Sequence, residues 1–360
     1  MAYVGFNSDD IVEGNIVRGV TSTVFSNSSG SIVVFHTSSA QVASDAGKFQ
    51  WDIYNLATSN ASAEVQFSVA YGSATGLGTA KQTGATDGYT PSRAVYSQFR
   101  QLLLNDNSES TRFIMGDNVS CDKMFFLTMN RARYKQGLNA GNWEINLSSS
   151  HTSNVFGGIL GTPLKLIDDS SVSNGETVNG HLVYNIVSGS DANGVYTDGS
   201  SNYHHWGLFY PQLGILAFNG NRVITGSGAA GSTTYGLDQG EASDLAYGTG
   251  SNTYDTMNKV MWHAIKNGGY FAARSEEDVS STHFFVRAKN QHFNYSTNPT
   301  YQTGSNGQLK HQSFIQNPQT FITTVGLYND QNDLLAVAKL SKPLLKNFER
   351  ETTIRVKLDY

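Results

Sequence analysis

The string most suggestive of chemistry is His204-His205-Trp206, flanked by Tyr203 and Tyr210. Two adjacent histidines invite a metal reading. Neighbouring residues of a strand face opposite ways, however, so the pair would not grip one ion. Zinc would need further ligands, and His181, His263, His283, His292 and His311 are scattered along the chain. No metal site is expected. The aromatic members offer flat rings with polar tips, and Tyr203, His205, Trp206 and Tyr210 stand as a candidate glycan or protein contact beside their alternative, ordinary core packing.

Other motifs fail on inspection. Gly226-Ser227-Gly228-Ala229-Ala230-Gly231 has the glycine spacing of a dinucleotide loop, which works by setting a pyrophosphate at a helix N-terminus. Ser232-Thr233-Thr234-Tyr235-Gly236 follows it, and that is no helix start, so no cofactor is expected. Asp168-Asp169 and Asp191-Ala192-Asn193-Gly194 lack the fixed acidic steps of a calcium loop and read as turns. Glu64, Glu144, Asp238, Glu241, Asp244, Glu276 and Glu277 could supply the carboxylate pair of a glycoside hydrolase, but no motif singles out two of them. No G-x-S-x-G is present, and no catalytic residue is assigned.

Composition narrows the classes. Charged residues make up only 15% of the 360, and Ser, Thr, Asn, Gln and Gly fill the deficit, which predicts a folded protein with a neutral polar surface. A net charge of −5 with no basic cluster argues against a nucleic-acid surface. The densest basic stretch, Lys342, Lys346, Arg350, Arg355 and Lys357, is interleaved with Glu349, Glu351 and Asp359 and reads as a solvated strand face. Cys121, the single cysteine, excludes an internal disulfide and is expected to be a buried thiol. The N-terminal residues have no secretory pattern and no apolar run approaches membrane length, so folding in a cytoplasm without membrane insertion is expected.

The elements that would carry any site are mostly strands. Phe49, Trp51 and Ile53, then Val65, Phe67, Val69 and Tyr71, then Trp143, Ile145 and Leu147 alternate with polar residues between Gly, Asn and Ser clusters, the pattern of antiparallel strands with one wet face. Thr90-Pro91-Ser92 starts a helix with Val95, Phe99, Leu102 and Leu103 on one face; a second runs from about Asp255 to Asn267 and stops at Gly268-Gly269. Near the end, Thr320–Tyr328 and Leu334–Leu340 flank a polar turn, and Glu351–Tyr360 alternates with Ile354, Val356, Leu358 and Tyr360 on one side. The expected fold is mainly β, with antiparallel sandwich or barrel-like domains and two or so short packing helices. Expected divisions are a docking arm over 1–30, a β-rich domain with one helix over 31–150, a loop-heavy β domain with one helix over 151–305, and closing strands over 306–360.

Several segments carry a resemblance. Val95–Leu104 (VYSQFRQLLL), Asn130–Leu147 (NRARYKQGLNAGNWEINL), Val183–Ser190 (VYNIVSGS) and Phe321–Tyr360 (FITTVGLYNDQNDLLAVAKLS to IRVKLDY) resemble virion structural proteins of T4-like myoviruses, especially those of marine cyanobacteria. The last is similar to an element shared among phage tail and baseplate components. The resemblance implies a non-catalytic structural and assembly component of a contractile tail or baseplate, assembled in a host cytoplasm, multi-copy or homo-oligomeric, with other virion proteins as partners. The alternatives are a receptor- or glycan-binding virion protein on a tail fibre or capsid, meeting a host surface glycan, and a polysaccharide-cleaving enzyme of the same particle.

Overall fold

A computed structural model describes residues 4–14, 17–26, 30–38, 50–76, 90–148, 155–156, 159–160, 163–196, 205–225 and 256–359. The fold is mainly β, and every described strand pairing is antiparallel. The chain forms two compact units, one from residues 19–277 and the other from residues 1–18 together with 278–360.

The larger unit is built on one open sheet, half of a barrel. Its strands run in the order Val17–Thr23, Phe271–Val279, Gly137–Leu147, Leu164–Asp168, His181–Ser190, His205–Tyr210, Ile215–Asn219, Lys123–Met129, Val65–Ser73, Gln50–Tyr54 and His36–Thr37. The expected single wet face is not what the central strands have. Along Lys123–Met129, Phe125, Leu127 and Met129 enter one apolar cluster while Met124 and Phe126 enter another, as side chains alternating across a strand must. Helix Thr256–Gly268 covers the first side with Met257, Met261, Trp262, Ala264 and Ile265. Helix Pro91–Leu104 covers the second with Val95, Tyr96 and Leu103, and Phe99 stacks on Phe126 at 3.9 Å.

The first helix begins, and the second ends, where the sequence marks it. Pro91 occupies the first turn, where its missing N–H is no loss. Leu102, expected on the buried face, is exposed. Tyr96 is the reason: at about 100° per residue, its entry into the core moves the centre of the face to between Tyr96 and Phe99 and leaves Leu102 on the flank. The Tyr96 hydroxyl donates to the Cys121 carbonyl at 2.6 Å and accepts from the Phe113 N–H at 3.2 Å. The second helix ends on Gly269 in the left-handed region (φ 64°). Gly268 serves differently: a Cβ there would lie 1.8 Å from the Asn146 carbonyl oxygen, so only glycine lets the helix end seat on the sheet.

The smaller unit is a sandwich of two thin sheets. Ile11–Glu13, Ser281–Ala288 and Thr352–Asp359 form one, with eight successive pairs from Ser281↔Asp359 to Ala288↔Thr352. Gln319–Tyr328 and Leu334–Asn347 form the other, a hairpin closed where Asn329 Oδ1 accepts the Asp333 N–H at 2.7 Å. Val325, Leu327, Ala336 and Ala338 of the hairpin meet Phe284, Val286, Ile354, Val356 and Leu358. The alternation expected for the last strand holds through Asp359; Tyr360 lies outside the described residues.

The expected divisions need correction. The cut near 150 falls between two neighbours of one sheet, Gly137–Leu147 and Leu164–Asp168, which pair at Ile145↔Leu166. The cut near 305 falls inside the smaller unit. The described part of residues 1–30 is not a separate docking arm: Ile11–Glu13 pairs with Ser281–Ala288, and Val24 and Phe25 are core residues. Runs of Ser, Asn and Gly mark loops, and a loop between paired strands looks in sequence like a loop between domains.

Candidate functional site

The described aromatic residues of the string singled out by sequence, Trp206 and Tyr210, do not form a surface. Tyr203 and His204 lie outside the described residues, as does the glycine-rich 226–231 segment. The neighbouring strand shifts register between Ile186↔Gly207 and Val187↔His205. That bulge puts Trp206 in the same cluster as Phe209, while Tyr210 enters the cluster on the other side of the sheet. Both rings are buried, so a shared contact through Trp206 and Tyr210 is corrected to core packing. His205 is half-buried in a polar knot; Arg222 bonds its carbonyl and Asp117, and Asn185 and His205 crowd the space above Gly116.

Of the acidic candidates, Asp238, Glu241 and Asp244 lie outside the described residues, while Asp168, Asp169 and Glu144 act as backbone pins. Asp168 accepts from the Gly141 N–H at 2.8 Å and the Ser170 N–H at 2.9 Å, and burial raises its carboxyl above the usual range. Asp169 accepts the backbone N–H (2.9 Å) and side-chain amide (2.8 Å) of Asn185. Glu144 holds the Asp191 N–H at 2.8 Å; Glu64 pairs with Arg133 and Glu277 with Lys135. No group of three or more metal-binding side chains occurs among the described residues. Burial pushes the Cys121 thiol up to about 12, so it is a packing residue and not a nucleophile.

What remains unusual is the surface of the smaller unit. Of the twenty exposed large apolar side chains among the described residues, thirteen belong to it. The hairpin concentrates them on the face turned away from its own core, where Leu335 is 69% and Val337 58% exposed, with Leu334 and Tyr328 beside them. The Tyr328 ring lies over Gly326, so a Cβ at that glycine would come within 2.9 Å of it. Among the described residues, each hairpin strand pairs only with the other. Yet Pro343, Lys339, Lys342 and a register jump between Ile322↔Leu344 and Thr324↔Lys339 interrupt the long strand, devices that discourage pairing along an edge. The face, not the edge, is therefore the surface available to a partner.

A second feature lies at the root of the hairpin. Lys346, read from sequence as part of a solvated basic face, is fully buried. Its ammonium donates to the Asn290 carbonyl (2.9 Å), the Asn294 side-chain oxygen (3.0 Å) and the Asn347 carbonyl (2.8 Å), and burial holds its pKa below the usual lysine range. Thr320 Oγ1 donates to the Phe293 carbonyl at 2.5 Å. Between these anchors Phe293 sits at φ 57°, a left-handed conformation that costs a bulky residue about 1–3 kcal/mol. Nothing in the sequence marks Lys346 as buried; it sits in the same interleaved run of basic and acidic residues as Lys342 and Arg350. The signal for the loop it holds was there: residues 290–319 contain a single Lys, Arg, Asp or Glu, Lys310.

Compared with protein-family models, with curated proteins and with solved structures, the chain matches none.

Proposed function

We propose that this chain is a structural and assembly component of a tailed-bacteriophage virion, placed in the contractile tail or baseplate, that works by binding neighbouring subunits and not by catalysis. The observation carrying this reading is the outward apolar face of the hairpin Gln319–Tyr328 and Leu334–Asn347. The same residues carry the resemblance to tail and baseplate components. Covering Leu335 and Val337 would yield roughly 1–2 kcal/mol each, enough for a few such side chains to hold a subunit in a lattice of many contacts. The hairpin strands pair with each other from Gln319↔Asn347 to Tyr328↔Leu334 and pack on the sheet of Ser281–Ala288 and Thr352–Asp359, so the face is formed before it meets a partner. On this reading the chain folds in the host cytoplasm, enters the particle in several copies, and has other virion proteins as partners.

Leu335→Lys with Val337→Lys tests it. Both positions face solvent, so the variant should fold with unchanged melting temperature. It should fail to enter particles when it replaces the wild-type chain during infection. Normal incorporation of the double variant would remove the face as the assembly contact.

A further inference from the structure

We infer that residues 290–319 form a binding site for a neutral oligosaccharide, a role independent of the hairpin-face assembly reading. The first ground is charge. This stretch holds one charged side chain, Lys310, although 15% of the whole chain is charged. Lys310 is itself turned onto the Pro299 carbonyl at 3.3 Å. The Lys346 ammonium beneath this stretch is fully buried and committed to three protein oxygens, so a phosphate, sulfate or carboxylate ligand would find no cation set to receive it.

The second ground is what replaces charge. Phe293 is 41% and Tyr295 51% exposed. Tyr295 stands edge-on to Tyr301 at 5.5 Å, and Tyr301 stacks on Phe314 at 4.9 Å, so the exposed ring is backed by the buried Tyr301 and the half-buried Phe314. Asn, Gln, Ser and Thr hold most of the intervening positions. A sugar ring has an apolar C–H face, which suits an aromatic ring, and a rim of hydroxyls, which suits amides and hydroxyls of the protein.

The third ground is preorganisation. The Tyr295 hydroxyl is fixed on the Gly307 carbonyl at 3.0 Å and on Gln302. Phe293 is kept in a conformation that bulky residues avoid, by Lys346 and Thr320 beneath it. Strain held in place by buried polar contacts beside an exposed ring is the arrangement expected of a loop shaped before its ligand arrives.

The test uses the full chain with maltoheptaose, cellohexaose and chitohexaose as neutral probes and polygalacturonate as the anionic one, each titrated by calorimetry at low and high salt. At least one neutral probe should bind with an affinity unchanged by salt. Phe293→Gly, which suits the left-handed backbone, and Tyr295→Ala, which removes a half-exposed ring, should each weaken that binding about tenfold or more while the melting temperature stays near wild type. Binding of polygalacturonate alone, binding of no neutral probe, or wild-type affinity in both variants would overturn the inference.

Discussion

Replacing Lys346 with methionine keeps the apolar stem and deletes the ammonium. Three acceptors lose a donor, but not equally. The Asn290 carbonyl keeps the Asn294 side-chain amide at 2.7 Å, and the Asn347 carbonyl keeps the Arg350 N–H at 3.3 Å. Asn294 Oδ1 keeps no other hydrogen bond among the described residues. One orphaned buried acceptor costs roughly 1–3 kcal/mol, and two weakened ones about 1 kcal/mol each. Against this total of roughly 3–5 kcal/mol stands the dehydration of the buried ammonium, which the variant no longer bears and which offsets about 2 kcal/mol of it. The expected balance is a loss of about 1–3 kcal/mol, confined to the smaller unit. All four tryptophans lie within residues 19–277, so tryptophan fluorescence follows the larger unit alone. Urea unfolding read by fluorescence should therefore be unchanged. Amide exchange over residues 290–319 should quicken about 5- to 150-fold. Unchanged or slower exchange there would refute the clamp.

Further expectations concern the fold. Val356→Asp should unfold the smaller unit, since Val356 is buried among Phe284, Val286 and Ala338 and nothing there would pair a carboxylate; a soluble variant with native circular dichroism would contradict the packing. Deleting residues 1–25 should destabilise the chain, because burying Val24 and Phe25 alone contributes about 1.5–3 kcal/mol each; a truncated chain melting like wild type would restore the docking-arm reading. Burial raises the Tyr96 hydroxyl from 10.0 to about 12, so the folded state keeps a proton that the unfolded state loses. That contribution, about 2–3 kcal/mol, is fully present below pH 10 and is lost as pH rises through 12; Tyr96→Phe should flatten the decline, and an equally steep profile in the variant would assign it elsewhere.

Local rules were legible and long-range ones were not. Alternation in Thr352–Asp359, the Pro91 helix start and the polar turn at Asn329 each follow from neighbours in sequence, and each appears as read. The order of strands does not follow from neighbours. Lys123–Met129 lies between Val65–Ser73 and Ile215–Asn219, and only tertiary contacts decide that. Burial on both faces escaped notice because polar residues at strand ends, such as Gln66 and Asn219, are themselves buried. The aromatic string around Trp206 misled because a one-residue bulge moves a ring across the sheet, and bulges leave little trace in composition. Lys346 was misread because a lysine is almost always solvated, and its three oxygen partners come from Asn290, Asn294 and Asn347, two of them about fifty residues away.

The central claim is that the outward hairpin face is a subunit contact in a virion. An electron-microscopy map of a tailed-phage particle that encodes this chain tests it most directly. The account predicts density for the chain in the tail, with Leu335 and Val337 covered by a neighbouring polypeptide. A particle without the chain, or one in which those two side chains face solvent, would contradict it.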